Sequence, residues 1–226
     1  MQNTFDIFEE RKEEIELYFS TLELMNNDEE MQRNKKITRD VRLYKIMKSN
    51  FILMLYNLIE ACVVSGLMEI YENLKNEKCS YNQVIVEIQD IWREKQIEKV
   101  YSPTTEKKTY DKRVKDMIDS ITRESPILLT REDLNIGGNL DAKKIKQICD
   151  KHRIRYHLTS KGESLYKVKQ DRNSLAHGDS SFSDCERELT IDDLKKIKND
   201  VETFISDIIK GMDDYYKDKK FMTQKS

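Results

Sequence analysis

The segment Asp171-Arg172-Asn173-Ser174-Leu175-Ala176-His177-Gly178 holds the side chains best suited to chemistry in this chain. It continues a helical spacing that runs Leu165, Val168, Arg172, Leu175, Ala176. Arg172 therefore stands where an apolar residue is expected, and a guanidinium on an apolar stripe is costly unless it meets an anion. Asn173 and His177 are four residues apart and share a helix face, about 40° from one another around the axis. His177 precedes Gly178, a helix-stop signal, so it falls at a helix C-terminus, where the macrodipole favours the imidazolium. One fixed cation and one group that titrates near neutrality suit chemistry on a phosphate. The plainer alternative is that Arg172 snorkels or pairs with Glu60 inside a bundle, and that His177 is an ordinary terminal residue.

The elements that must position these residues are helices. The 226 residues include only six Gly and two Pro, too few turn residues for a many-stranded β protein. With 36% charged and 38% hydrophobic residues, the composition favours an all-α chain of long helices with charged outer faces. The apolar fraction is too high for disorder, and the length allows a substantial core. A net charge of −2 excludes a uniformly basic nucleic-acid binder but not a local patch. Cys62, Cys79, Cys149 and Cys185 are scattered, and the acidic start has no signal-peptide pattern. Free thiols in a cytoplasmic protein are the expectation. Phe51–Ile70 is apolar at 15 of 20 positions, yet it contains Asn57, Glu60 and Glu69. Carboxylates are costly inside a bilayer, so this reads as a buried central helix and no membrane is expected.

An amphipathic helix is expected over Thr4–Met25 and a long second helix from Thr38 or Asp40 to about Lys78. Ser80–Lys99 gives a third helical pattern, with Val84, Ile88, Ile91 and Trp92 on one side. Tyr101–Pro126 holds both prolines and the charged run Glu106–Lys115, which reads as loop. Gly137-Gly138 is the strongest turn signal, and Asp141 then N-caps a short helix to about His152, with Leu140 and Ile145 as a hydrophobic staple. Ile154, Tyr156 and Leu158 alternate with Arg155 and His157, as a short strand or extended segment would. Ser160 with Glu163, and Thr190 with Asp193, have capping-box spacing before the last two helices. The final apolar stripe runs from Ile191 to Met212, and the end after Lys217 reads as a fraying terminus. Residues 1–226 are thus one domain, with residues 100–158 inserted into a bundle.

Arg172-Asn173-Ser174-Leu175-Ala176-His177 resembles the Arg-x4–6-His motif of the HEPN superfamily (higher eukaryotes and prokaryotes nucleotide-binding), including the polar residue after the Arg. Three further stretches resemble its stand-alone bacterial nuclease branch. They are Leu55-Tyr56-Asn57-Leu58-Ile59-Glu60, Gly138-Asn139-Leu140-Asp141-Ala142, and Leu175-Ala176-His177-Gly178 followed by Phe182. The resemblance implies an antiparallel helical bundle and a metal-independent endoribonuclease acting as a homodimer, without cofactor. It implies that His177 is the general acid/base, that Arg172 holds the scissile phosphate, and that Asn173 orients His177 or the phosphate. Asn57 and Glu60 would support Arg172. Such proteins act in toxin–antitoxin or antiphage systems, which implies a cognate antitoxin or defence partner. A catalytically silent module that binds nucleotide or a partner protein is the alternative.

Residues 141–169 hold nine bases against three acids, whereas residues 1–30 hold ten acids against two bases. Lys143, Lys144, Lys146, Arg153, Arg155 and Lys169 are candidate RNA-backbone contacts, with Tyr156 and Tyr166 available for stacking. A solvated helix face explains them equally well. His152 and His157, five apart with no neighbouring Cys, do not make a metal site.

Overall fold

A computed structural model describes residues 1–27, 38–100, 107–134, 136–185 and 188–223. Seven α-helices follow in order among them: α1 (Gln2–Asn27), α2 (Thr38–Asn76), α3 (Val86–Val100), α4 (Lys107–Thr122), α5 (Ala142–His152), α6 (Ser164–His177) and α7 (Ile191–Lys217). The described residues contain no strand, only isolated bridges at Ser80–Pro126 and Val84–Met222.

The apolar run in α2 makes it the axis of the bundle. Its Phe51, Leu55, Leu58, Ile59, Cys62, Leu67 and Ile70 are buried, and α1, α6 and α7 pack around it. By length and composition Val41–Asn76 could cross a membrane, with 56% of its most apolar window buried in the bundle. Glu69 does not face lipid tails: Thr4 donates to it through its N–H (2.7 Å) and its hydroxyl (2.8 Å). Contacts of Thr4 with Glu69 and of Tyr18 with the Met47 carbonyl set α1 antiparallel to α2. Lys48 donates to the Leu189 carbonyl and Asn73 to the Tyr216 carbonyl, so α7 runs in the same direction as α2.

Local signals decide most boundaries. The Asp141 carboxylate accepts from Lys144 N–H at 2.8 Å, Thr190 and Asp193 form their reciprocal box, and Gly178 closes α6 at φ +77°. Leu140 and Ile145 are both buried, as a staple requires.

Four expectations are corrected by longer-range contacts. The charged run is helical in α4 from Lys107, because no Gly or Pro interrupts it and Met117 and Ile121 find the core. The rest of the expected loop, residues 101–106, lies outside the described residues. The third helical pattern breaks into a single 3-10 turn, Tyr81–Gln83, and α3. The break lies at Val84, which bridges Met222, while Ile85 N–H donates to the Phe221 carbonyl. The same contacts hold residues 221–222 in place, and Phe221 is fully buried; residues 224–226 lie outside the described residues. Finally, Ser160 and Glu163 do not box α6. Asp200 of α7 accepts from Ser164 N–H at 2.7 Å and from the Ser160 hydroxyl.

Residues 154–158 are extended but pair with no strand; the backbone is met by the α5 cap, and Thr159 donates twice to Asp207 of α7. The middle region is part of the core, since Ile127, Leu129, Leu140, Ile145 and Ile154 are buried in it. Gly162 closes this segment at φ +70°, where an added Cβ would lie 2.6 Å from the Phe204 ring. Gly162→Ala combines left-handed strain with overpacking and is expected to cost about 3 kcal/mol. Urea unfolding at neutral pH measures it, and a change under about 0.5 kcal/mol would contradict this packing.

Candidate active site

Arg172 lies on the inner side of α6, between the buried Val168 and Leu175, and is itself half-buried. Its guanidinium sits over the Tyr56 ring of α2, 4.8 Å from the centroid. Nη1 donates to the Gly138 carbonyl (3.3 Å) and to Asn173 Oδ1 (2.9 Å). Among the described residues it has no carboxylate partner, and neither Asn57 nor Glu60 hydrogen-bonds to it. The expected support from those two residues comes instead from Tyr56, Gly138 and Asn173. An aromatic face attracts a guanidinium without neutralising it, so the site keeps a positive charge.

The loop before α5 completes this cage. Leu140 N–H donates to Tyr56 Oη at 3.2 Å, and Asn173 Nδ2 donates to Asn139 Oδ1 at 2.8 Å. Tyr56 is buried, and burial raises its hydroxyl above the usual tyrosine pKa. Gly138 has φ +58°, and a Cβ there would lie 3.2 Å from Arg172 Nη2. The turn that Gly137-Gly138 signals thus presents a carbonyl to the guanidinium.

His177 is exposed at the last turn of α6, and no hydrogen bond to its ring occurs among the described residues. It lies five positions beyond Arg172, which places the two side chains about 140° apart around the helix. One chain therefore directs Arg172 inward and His177 outward. Asn173 shares the His177 face, but its amide is occupied by Arg172 and Asn139. Within the chain it orients Arg172, not His177. Ala176 is exposed, so the apolar stripe ends at Leu175.

The structure divides the six basic candidates. Lys169, one turn before Arg172, pairs with Asp141 at 2.5 Å and lies over the Tyr166 ring. Burial would raise the Asp141 carboxyl, but Lys169 and the Lys144 amide outweigh it and hold the group below its ordinary value. Lys143 and Lys144 are exposed on the first turn of α5 beside this pair, whereas Lys146 lies half-buried over the Phe204 ring and reaches the Lys161 carbonyl. Arg153 and Arg155 follow the C-terminus of α5, where His152 meets Tyr71. Tyr71 is fifteen residues beyond Tyr56 on α2, so these two arginines lie about 20 Å along the helix from the cage. They line a separate cavity of about 730 Å³ with Lys219 and Lys220, and Arg153 pairs there with Glu87.

His152 is buried with both ring nitrogens engaged, to Tyr71 Oη (2.8 Å) and the Ile148 carbonyl (2.7 Å), while His157 is exposed. Among the described residues no three His, Cys, Asp or Glu side chains are grouped to hold a metal ion.

Tyr56 as the guanidinium platform and Asn139 as the partner of Asn173 were not assigned roles from the sequence. Both lie in stretches that resemble the family, residues 55–60 and 138–142, and that resemblance is the signal the sequence carries for them.

Comparison with known proteins gives a match to a protein family. The family model described as MAE_28990-like HEPN matches residues 1–221. No curated protein and no solved structure matches the chain.

Proposed function

Because this chain belongs to the HEPN family, we propose that it is a metal-independent endoribonuclease whose active site forms when two copies bring their α6 helices together. Family membership is consistent with a nuclease module. The observation that carries the finer reading is Arg172: a half-buried guanidinium with no counter-ion among the described residues, held by Tyr56, Gly138 and Asn173. A cation held in that way is preorganised for a phosphate.

In this mechanism the ribose 2′-oxygen attacks the adjacent phosphorus, the bond to the 5′-oxygen breaks, and a 2′,3′-cyclic phosphate and a 5′-hydroxyl result. His177 of one copy takes the 2′-hydroxyl proton, and His177 of the second copy protonates the leaving 5′-oxygen. Arg172 stabilises the charge that develops on the non-bridging oxygens. The outward direction of His177 favours assembly across two copies. The setting we propose is a cytoplasmic toxin–antitoxin or antiphage system, with an antitoxin or defence protein as partner.

A single-stranded RNA and its all-2′-deoxy copy, incubated with the protein in EDTA, test the chemistry. The expected result is cleavage of the RNA alone, with cyclic phosphate ends. The second reading is a silent module that binds phosphate through Arg172. It is favoured by the lack of an orienting partner for His177 among the described residues. RNA binding without cleavage, in EDTA and in magnesium, would establish it instead.

A further inference from the structure

A groove of about 610 Å³ runs beside the cage, lined by Asn3 and Arg11 of α1, Asn57, Glu60 and Ser65 of α2, and Arg131 of the turn Arg131–Leu134. Asn57 follows Tyr56 directly, so the groove begins where the Arg172 platform ends. From Asn57 to Met68, at its far end, it follows α2 for about 16 Å. Neither Arg11 nor Arg131 has an ion pair among the described residues, in a chain with 42 acids. The Asn57 amide and the Glu60 carboxylate are likewise without hydrogen-bond partners there, although Glu60 lies in the same groove as both arginines.

We propose that this groove holds the single-stranded RNA segment next to the scissile phosphate, with Arg11 and Arg131 on backbone phosphates and Asn57 and Glu60 on base edges. The proposal rests on the ribonuclease reading above. Guanidinium groups match phosphate bidentately. An amide reads a base edge that offers both a donor and an acceptor, and a carboxylate accepts from an exocyclic amine. Base edges of this kind are free only in unpaired RNA. The carboxylate also sets the groove apart from a plain cationic track: it repels phosphate, so Glu60 selects for the base and the two arginines for the backbone.

The test is binding of a 2′-O-methyl single strand, followed by fluorescence anisotropy across a salt series, together with cleavage kinetics on the matching RNA. For Arg11→Ala/Arg131→Ala the expected result is about tenfold weaker binding and a log–log salt slope shallower by about 1.4, two phosphate contacts at about 0.7 each. KM rises in step while kcat is retained. Arg131→Ala alone, on an exposed turn, gives about half the slope change and covers the case in which the double variant folds poorly. Glu60→Gln changes the ranking of RNA sequences with the slope unaltered. If the wild type binds and cleaves but the variants match it in affinity and slope, the groove assignment falls and the ribonuclease reading stands. If the wild type binds no RNA, both fall. A weakened dimer with an unaltered salt slope overturns the proposal too, because it makes the groove a protein interface.

Discussion

Arg172→Lys keeps the charge and the fold and loses RNA cleavage by about 100-fold or more, the scale seen when a transition-state donor is removed. His177→Ala abolishes cleavage altogether. The lysine variant is the more informative because it separates charge from geometry. The native guanidinium sits over the Tyr56 ring and spends Nη1 on Gly138 and Asn173. Nε and Nη2 keep their N–H groups for a phosphate, in a fork that a guanidinium alone provides. An ammonium has no plane to stack and no second edge to offer. Initial rates at saturating RNA, with a thermal melt as the folding control, measure the effect. A rate within threefold of wild type would mean that charge alone suffices and that the cage has no catalytic consequence.

Acid destabilises the protein as pH falls from 6.5 toward 4, and His152 is a cause. Burial lowers its pKa from 6.5 to about 4. The geometry agrees: the Ile148 carbonyl must accept from Nδ1–H, which leaves Nε2 to accept from the Tyr71 hydroxyl. That pattern requires the neutral ring. The folded-state pKa is depressed, so the unfolded state binds the extra proton between the two values. The contribution is present in full above pH 6.5 and is lost as pH falls toward 4, amounting to about 3 kcal/mol. Urea unfolding at pH 7.5, 6 and 5 should show a progressive decline, concentrated in this window. His152→Leu should be less stable at pH 7.5, since it strands the Tyr71 hydroxyl, but its profile should be flatter. A wild-type profile that is level from pH 7 to 5 would remove His152 from this role.

The parts of this fold that were legible in the sequence are those set within a few residues. Asp141, the Thr190–Asp193 pair and Gly178 act on their own helices, and their letters suffice. The interior of α2 is legible for a related reason: a run apolar at 15 of 20 positions has few other places to go. What escaped depends on partners far along the chain. Asp200 takes the place of the Ser160–Glu163 box at the start of α6, and Phe221 reaches back to Ile85. Charge density hid α4, although charge does not break a helix in the absence of Gly and Pro. In the site, Arg172 stood out as an out-of-place cation, but its supports were misassigned. Asn57 and Glu60 share the right helix, yet Tyr56 is the residue turned toward α6. A contact between α2 and α6 cannot be read from either segment alone.

The cage around Arg172 draws on residues 56, 138, 139 and 173, which three separate lengths of chain deliver to one point. The hexapeptide from Arg172 to His177 is therefore not portable. Excised as a peptide or grafted onto another helix, it would carry all six letters and lose the pose of its arginine. The unit of inheritance for this chemistry is the crossing of α2, the double-glycine turn and α6, and a protein that keeps the letters while altering Tyr56 or Gly138 would keep only the appearance of the site.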